Sequence, residues 1–190
     1  MKKLIVLGVV ATSVLVACGG GGGGGSTPAA GVTAANPFAA DAGTYRFDCK
    51  VVGTSSTPEY STVIVVVEAP SGSDKANVTI QNQDFIDANC ATAPTLDITV
   101  RGDLSALAAT KTITGVGSEK SGTVKTAEFA YSGITFTKTP VGGFGGTLPL
   151  PGTKAKVGYL IEGNKVFGLS GSRALDGLPT SFSKNFLIKQ

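Results

Sequence analysis

Few side chains in this sequence of 190 residues are suited to catalysis. The chain has thirteen carboxylates, three cysteines and no histidine. Without histidine, Ser-His-Asp and Cys-His catalysis are excluded, and zinc loses its usual nitrogen ligand. The carboxylates do not cluster in the way that an acid and its conjugate base would require. We therefore expect a protein that is not an enzyme and that binds no cofactor and no metal.

Two short segments carry weaker chemical signals. Asp84, Asp87 and Asn89 could offer oxygen ligands to calcium, but their spacing differs from that of an EF-hand loop, so a solvated turn is favoured. The segment RGDL, residues 101–104, matches an integrin-recognition tripeptide. Arg101 continues the alternation of a predicted strand, which favours a chance match over a recognition site.

Cys18 lies at the end of an apolar run. Lys2 and Lys3 precede Leu4–Val16, a run of 13 apolar and small residues. That layout is typical of a secretory signal, whereas a membrane-spanning helix needs roughly 20 apolar residues. An unmodified thiol within a cleaved signal peptide is the alternative interpretation of Cys18.

The residues around Cys18 resemble the lipobox of bacterial lipoproteins, whose signal is cut before a cysteine that then receives lipid. The matching segment is Leu15, Val16, Ala17 and Cys18. The resemblance implies a signal peptide over 1–17 and a lipid anchor on Cys18. Gly19 is not the aspartate of an inner-membrane retention signal, which favours the outer membrane of the cell envelope. Residues 18–40 include seven consecutive glycines and are predicted to form a flexible tether.

The net charge of the chain gives little support for a nucleic-acid partner. The full chain has 16 basic and 13 acidic residues, and removing Lys2 and Lys3 with the signal leaves 14 against 13. The remaining lysines are scattered in the sequence, with no basic patch interleaved with aromatic residues. We therefore expect no nucleic-acid binding.

Residues 41–190 are predicted to form one domain. In Gly43–Val51, the side chains of Tyr45, Phe47, Cys49 and Val51 alternate with polar ones, which indicates a half-buried strand. The same pattern predicts a turn at Ser132-Gly133 and a hairpin at Gly163-Asn164. No stretch has a convincing helical stripe, and 103–110 is compatible with one short helical turn at most. Further strands are predicted over 60–68, 76–81, 96–102, 110–114, 127–136, 157–167 and 180–188.

These strands predict an all-β fold. We expect a single antiparallel β-barrel or β-meander of about eight to ten strands, and a β-sandwich is the alternative. Cys49 and Cys90 remain once Cys18 carries lipid, and two cysteines in an exported domain allow one disulfide. Two separate buried thiols are the alternative.

The segment from Pro140 to Gly152 is the longest irregular stretch of the domain, and Phe144 lies between two glycine pairs within it. Loops of about this length without secondary structure are often functional or disordered. Phe144 is interpreted either as an apolar contact for a ligand or partner, or as part of a flexible hairpin connection.

Three further segments are similar to a group of uncharacterised proteobacterial lipoproteins: GTYRFDC, DANC and GNKVFGLSGSRALDGLPTSF. That resemblance implies a lipocalin-like β domain with two cysteines, and it implies no activity. The sequence is then compatible with two functions. The domain acts through its outer surface as an interaction or structural module of the cell envelope, with an envelope protein as partner, or it carries a small apolar ligand as lipocalins do. We favour the first.

Overall fold

The fold was analysed in a computed structural model that describes residues 35–51, 59–115, 120–139 and 148–190. A short 3-10 turn, Ala39–Asp41, precedes nine β-strands in these ranges. The prediction of an all-β domain is therefore confirmed. The strands are β1 Gly43–Val51, β2 Tyr60–Glu68, β3 Lys75–Phe85, β4 Leu96–Ala106, β5 Lys111–Ile113, β6 Gly122–Lys138, β7 Lys154–Glu162, β8 Lys165–Arg173 and β9 Pro179–Lys189.

Eight of the strands close into an antiparallel barrel. The hydrogen-bonded order is β4-β3-β2-β1-β9-β8-β7-β6, and the pairing of β4 with β6 completes the ring. Neighbours in the ring are neighbours in the chain, with two exceptions: β1 pairs with β9, the last strand, and β4 pairs with β6. The short β5 between β4 and β6 pairs with the first residues of β6. The predicted antiparallel β-barrel is confirmed, and the β-sandwich alternative is wrong.

Apolar and polar residues alternate along the strands, and the apolar ones fill the barrel interior as the sequence predicts. Val65 and Val67 of β2 are buried, as are Leu96, Ile98 and Val100 of β4. β1 follows the pattern only through Phe47, because its pairing with β2 shifts register between Phe47 and Lys50. As a result Cys49 is half-buried and Val51 is exposed, and the predicted inward position of Val51 is wrong.

The turn predicted at Ser132-Gly133 is absent, because β6 continues through both residues. On the β4 side, Arg101 pairs with Gly133 and Gly102 pairs with Tyr131, so Ser132 is an extra residue in a β-bulge. The helical turn predicted over 103–110 is also wrong. Residues 103–106 continue β4, and Leu104 is buried in the core. The hairpin at Gly163-Asn164 is confirmed by the pairing of Glu162 with Lys165.

A second, smaller apolar cluster lies on the outer face of the barrel. Leu160 follows the core residue Tyr159 in β7 and therefore points to the opposite face of the sheet. It packs with Phe182 against the buried side chains of Ile113, Val124 and Leu169. The hairpin of β5 and the start of β6 thus covers part of the outer surface of β7, β8 and β9.

The two ends of the barrel differ in what covers them. Asn36 donates hydrogen bonds from its side chain to the carbonyl oxygens of Pro70 and Lys75, at 3.0 and 2.8 Å, and Phe38 is fully buried in the core. The folded part therefore begins before residue 41, within the segment predicted as tether. We call the end of the barrel that Asn36 and Phe38 cover the N-terminal end. The opposite end, with the β1–β2, β3–β4, β6–β7 and β8–β9 connections, is the far end. No helix in the described ranges has the length and hydropathy to cross a membrane.

Candidate functional site

The two cysteines of the domain are joined, as predicted. Cys49 at the end of β1 and Cys90 in the β3–β4 connection form a disulfide with a Cα–Cα distance of 5.8 Å. Cys90 has a φ of 50°, a left-handed conformation that few residues other than glycine adopt. The bond ties the end of β1 to the β3–β4 connection.

Asp87 organises the loop that carries Cys90. Its Oδ1 accepts hydrogen bonds from the backbone N–H groups of Asn89 and Ala91, both at 3.1 Å. Its Oδ2 accepts from the hydroxyl of Thr92 at 2.6 Å and from the backbone N–H of that residue at 3.2 Å. The Thr92 hydroxyl, followed by these backbone donors, lowers the pKa of Asp87 to about 2. The loop is therefore an Asp-capped turn, as favoured from the sequence.

The structure does not bring the calcium candidates together as one ligand set. The carboxylate of Asp84 accepts a hydrogen bond from the side-chain amide of Asn82 at 3.2 Å, while both oxygens of Asp87 are engaged by its own loop. Within the described ranges, no group of three Cys, Asp or Glu residues could hold a metal ion.

The RGDL segment lies within strand β4. Gly102 is buried against the backbone of β6, where an added Cβ would meet the carbonyl oxygen of Ala130. Leu104 is 1% exposed and belongs to the core, and the guanidinium of Arg101 is 3.5 Å from the hydroxyl of Thr135. The segment thus contributes to packing and strand pairing. Cys18 and Phe144, the other two site residues predicted from the sequence, lie outside the described residues.

The barrel interior is filled by side chains. Tyr159, Phe38 and Phe129 are among the largest fully buried ones. A cavity of about 20 Å³ is bordered by residues that include Phe47, Val63 and Leu187. A cavity of roughly 10–15 Å³ suffices for one water, whereas pockets for small molecules enclose about 300–1,000 Å³. In the described part of the chain, this interior has room for a water molecule but not for a carried ligand.

The cavity lies beside the seam with the fewest residue pairs in the barrel. β1 and β9 are paired only through Tyr45 with Lys189 and Arg46 with Ile188. Beyond those pairs, Phe47 of β1 and Asn185 and Phe186 of β9 border the cavity instead of pairing with each other. By comparison, β3 and β4 share ten pairs.

A buried polar cluster closes the N-terminal end. The side chain of Asp41 is 5% exposed, and its Oδ1 and Oδ2 lie 3.2 and 3.4 Å from the amine of Lys125. The hydroxyl of Tyr159 donates to Oδ2 at 2.6 Å, and the hydroxyl of Tyr45 donates to the backbone carbonyl of Asp41 at 2.5 Å. Burial and, secondarily, the charge of Asp41 raise the pKa of Tyr45 to about 12. Lys125 and Tyr159 satisfy the carboxylate of Asp41 and Tyr45 satisfies its backbone carbonyl, so the cluster fastens the N-terminal segment to the barrel.

The sequence gives one signal for this cluster, which the alternation pattern did not single out. Lys125 occupies the inward register of β6, in line with Ala127 and Phe129. A lysine at such a position requires a buried anionic partner. The partner, Asp41, lies 84 residues away and has no local signal of its own.

On the outer surface, lysines surround a pair of aromatic rings. The ring centroids of Phe167 and Phe186 are 5.3 Å apart. The amines of Lys120 and Lys165 lie 4.3 and 4.7 Å from the centroids of Phe167 and Phe186, and the amine of Lys50 lies 5.2 Å from Phe186. We call these five residues the aromatic–lysine cluster. These lysines are scattered in the sequence, and barrel closure brings Lys50 of β1, Lys120 of the β5–β6 connection and Lys165 of β8 to one pair of rings.

No protein-family model, curated protein or solved structure matches the chain. The site is therefore defined by its geometry alone: a closed, filled eight-stranded barrel with an aromatic–lysine cluster on its outside. The lipoprotein class and the lipocalin-like relatives inferred from the sequence stay predictions.

Proposed function

We propose that this protein is a lipoprotein of the cell envelope whose barrel acts without catalysis, as an interaction or structural module that binds through its outer surface. The observation that carries the proposal is the filled interior, with a cavity of about 20 Å³ in the described part of the barrel. A function that depends on enclosing a ligand would need at least ten times that volume. The absence of histidine from the chain supports a non-enzymatic role.

The anchor in this proposal is the lipid on Cys18, and the outer membrane is its location. Three acyl chains exceed the two signals that stable anchoring requires. We expect Cys18→Ser to abolish labelling by a fatty-acid probe and to release the protein from membranes. A substituted protein that stays on membranes after a carbonate wash would contradict the anchor. An unrelated substitution, Ser26→Ala, should leave both labelling and membrane attachment unchanged.

The aromatic–lysine cluster is the proposed contact surface for an envelope protein. Aromatic residues are enriched at the centres of protein interfaces, and the lysine amines favour an acidic partner. Glu162 lies 2.6 Å from the amine of Lys120 and neutralises that charge. The amines of Lys50 and Lys165 are then the ones that face an incoming partner.

A carrier of a small apolar ligand is the second candidate, and the seam between β1 and β9 is the observation that favours it. Its cavity is lined mainly by apolar side chains and lies where only two residue pairs join the strands. Opening of this seam would enlarge the cavity from the side.

Native mass spectrometry of the chain carrying Cys18→Ser, purified from its own organism, separates the two functions. The surface-acting module predicts a homogeneous protein at the mass of the polypeptide. A co-purifying lipid or metabolite, released on denaturation, would contradict it and favour the carrier.

A further inference from the structure

A groove lies on the outer surface of the barrel, between β7 and the β8–β9 connection. Lys154 and Lys156 of β7 point outward there, because they alternate with residues that pack in the core, such as Val157. The groove has a volume of about 530 Å³, and pockets for small molecules enclose about 300–1,000 Å³. All of its lining residues belong to the described ranges, and the charged ones are Glu128, Lys154, Lys156, Arg173 and Asp176.

Both carboxylates of the groove are already paired with a cation. Oε1 of Glu128 lies 2.7 Å from the amine of Lys154. Oδ2 of Asp176 lies 2.7 Å from the amine of Lys111, a residue of β5. The hydrogen bond with Lys111 is the main cause that lowers the pKa of Asp176, and the charge of Lys156 is the last in order. Neither carboxylate therefore neutralises the cations that remain in the groove.

The remaining cations are Lys156 and Arg173, and both lie against the same turn. Among the described residues, neither of them forms an ion pair. Nη1 of Arg173 donates hydrogen bonds to the backbone carbonyl of Lys156, at 2.9 Å, and to that of Gly177. The stem of Lys156 runs beside the same glycine, where an added Cβ would lie 3.5 Å from Cδ of the lysine. Two uncompensated positive charges thus share one side of the groove.

The guanidinium of Arg173 is oriented before any ligand binds. Its Nη1 is held by two carbonyl oxygens, whereas Nε and Nη2 form no hydrogen bond within the part of the chain that the structure describes. The edge formed by these two nitrogens presents parallel N–H groups, which match two oxygens of a carboxylate or a phosphate. Because the side chain is exposed, that edge is open to a ligand, and little conformational freedom is lost when it binds.

We propose that this groove binds the phosphate group of a small organic phosphate monoester. Such a group carries a charge of about −1.5 to −2 near neutral pH, which Lys156 and Arg173 together balance, whereas a carboxylate carries a single charge. Leu175 also lines the groove and is fully exposed, so it offers an apolar contact to the organic part of the molecule. The groove shares no residue with the aromatic–lysine cluster, so the site is additional to the proposed contact surface for a protein.

The experiment titrates the full chain carrying Cys18→Ser with phenyl phosphate and follows the backbone amides by NMR. We expect saturable shifts at residues 154–156 and 173–177. Benzoate, which offers one charge on a ring of the same size, should bind about tenfold more weakly. Lys156→Met should weaken the binding of phenyl phosphate about tenfold, because it removes a charged donor and keeps the stem of the side chain. Arg173→Lys should also weaken it, because lysine keeps the charge but lacks the fork of N–H groups.

Lys75→Met is the matched control. Lys75 is an exposed lysine at the N-terminal end, so this substitution removes the same charge at a distance from the groove and should leave the affinity for phenyl phosphate unchanged. Lys156 is exposed as well, and Lys156→Met should keep the melting temperature of the parent. The comparison of these two variants does not depend on Arg173→Lys, which also loses contacts with two backbone carbonyls.

Vesicles of phosphatidylcholine that contain phosphatidic acid, a lipid phosphate monoester, identify the source of the phosphate. Binding to these vesicles that phenyl phosphate displaces would support the site and assign it to a lipid headgroup, and binding of phenyl phosphate alone would support it and assign it to a soluble ester. Absence of saturable shifts in the parent, equal affinity for benzoate and phenyl phosphate, or equal affinity of Lys156→Met and Lys75→Met would overturn the proposal. An organic phosphate that co-purifies with the parent but not with Lys156→Met would lie in the groove and leave the filled-barrel function unaffected.

Discussion

The hydroxyl of Tyr159 lies 2.6 Å from Oδ2 of Asp41, although the two residues are 118 positions apart in the sequence. The contact joins the 3-10 turn at the start of the domain to β7, in the second half of the barrel. Lys125 of β6 contacts the same carboxylate. The N-terminal segment is therefore held by groups that come together only when the barrel closes.

Tyr159→Phe should destabilise the protein by roughly 1–3 kcal/mol, because a buried carboxylate loses a hydrogen-bond donor that the new ring cannot replace. Urea denaturation of parent and variant measures the difference in free energy of unfolding. Tyr60→Phe is the control, since Tyr60 is a half-buried tyrosine at the start of β2, distant from Asp41. Equal losses in the two variants would contradict a specific role for the contact with Asp41.

The raised pKa of Tyr45 makes stability fall at alkaline pH. Its pKa of about 12 in the folded protein lies above the ordinary value of 10, so folding favours the protonated phenol. That contribution is fully present below pH 10 and is lost as pH rises through about 12. By about pH 11 the parent should lose ~1.4 kcal/mol more than Tyr45→Phe does.

The measurement compares urea denaturation of both proteins at about pH 8 and about pH 11. Tyr131, whose pKa burial also raises, is present in both proteins and cancels in the comparison. A parallel decline of the parent and Tyr45→Phe with pH would contradict the assignment.

The strands could be predicted from the sequence because their apolar residues alternate locally. The predicted strand at 60–68 coincides with β2. The turn predicted at Ser132-Gly133 was wrong because a serine-glycine pair is compatible with both a turn and a bulge. Only the pairing of β6 with β4 distinguishes a turn from a bulge here. At 103–110 the sequence did not distinguish a helical turn from a strand, because Leu104 can be buried in either.

The polar cluster and the aromatic–lysine cluster could not be predicted in the same way. Asp41 meets Lys125 and Tyr159 because the ring of strands brings the N-terminal segment against β6 and β7. Phe167 meets Phe186 through the register of β8 and β9, in which the two residues are direct partners. Neither register is encoded in a single strand, so the residues of each cluster have no distinctive local pattern.

Removal of the disulfide should reduce the free energy of unfolding by roughly 4 kcal/mol, because the bond closes a sequence separation of 41 residues in the unfolded chain. Cys49→Ser combined with Cys90→Ser, made in the Cys18→Ser background to prevent mispairing, measures this loss in urea. Reductant should destabilise the Cys18→Ser protein and leave the triple variant unchanged. Quantitative alkylation of the exported domain without reductant would contradict the bond.

Gly102 and Gly133 lie on facing strands of the same bulge, and substitution by alanine should affect them differently. A Cβ at Gly102 would meet the backbone carbonyl oxygen of Ala130 and would lie 2.5 Å from Cζ of the Phe129 ring. Phe129 is 1% exposed and packs edge-on against Tyr131, with 4.8 Å between ring centroids, so neither ring has room to move. Overpacking of this kind costs about 1–3 kcal/mol, and we expect that loss for Gly102→Ala.

At Gly133 an added Cβ would meet no atom within 4 Å. Gly133→Ala should therefore change the free energy of unfolding by no more than about 0.5 kcal/mol. Thermal and urea denaturation of the two variants, each compared with the parent, measure the difference. Equal stability of the two variants would show that the β4–β6 seam is looser than the close approach of Gly102 to Ala130 implies. A large loss confined to Gly102→Ala would instead mean that the glycine of the RGDL segment is required by the packing of the barrel, because only a residue without a side chain fits between the two strands there.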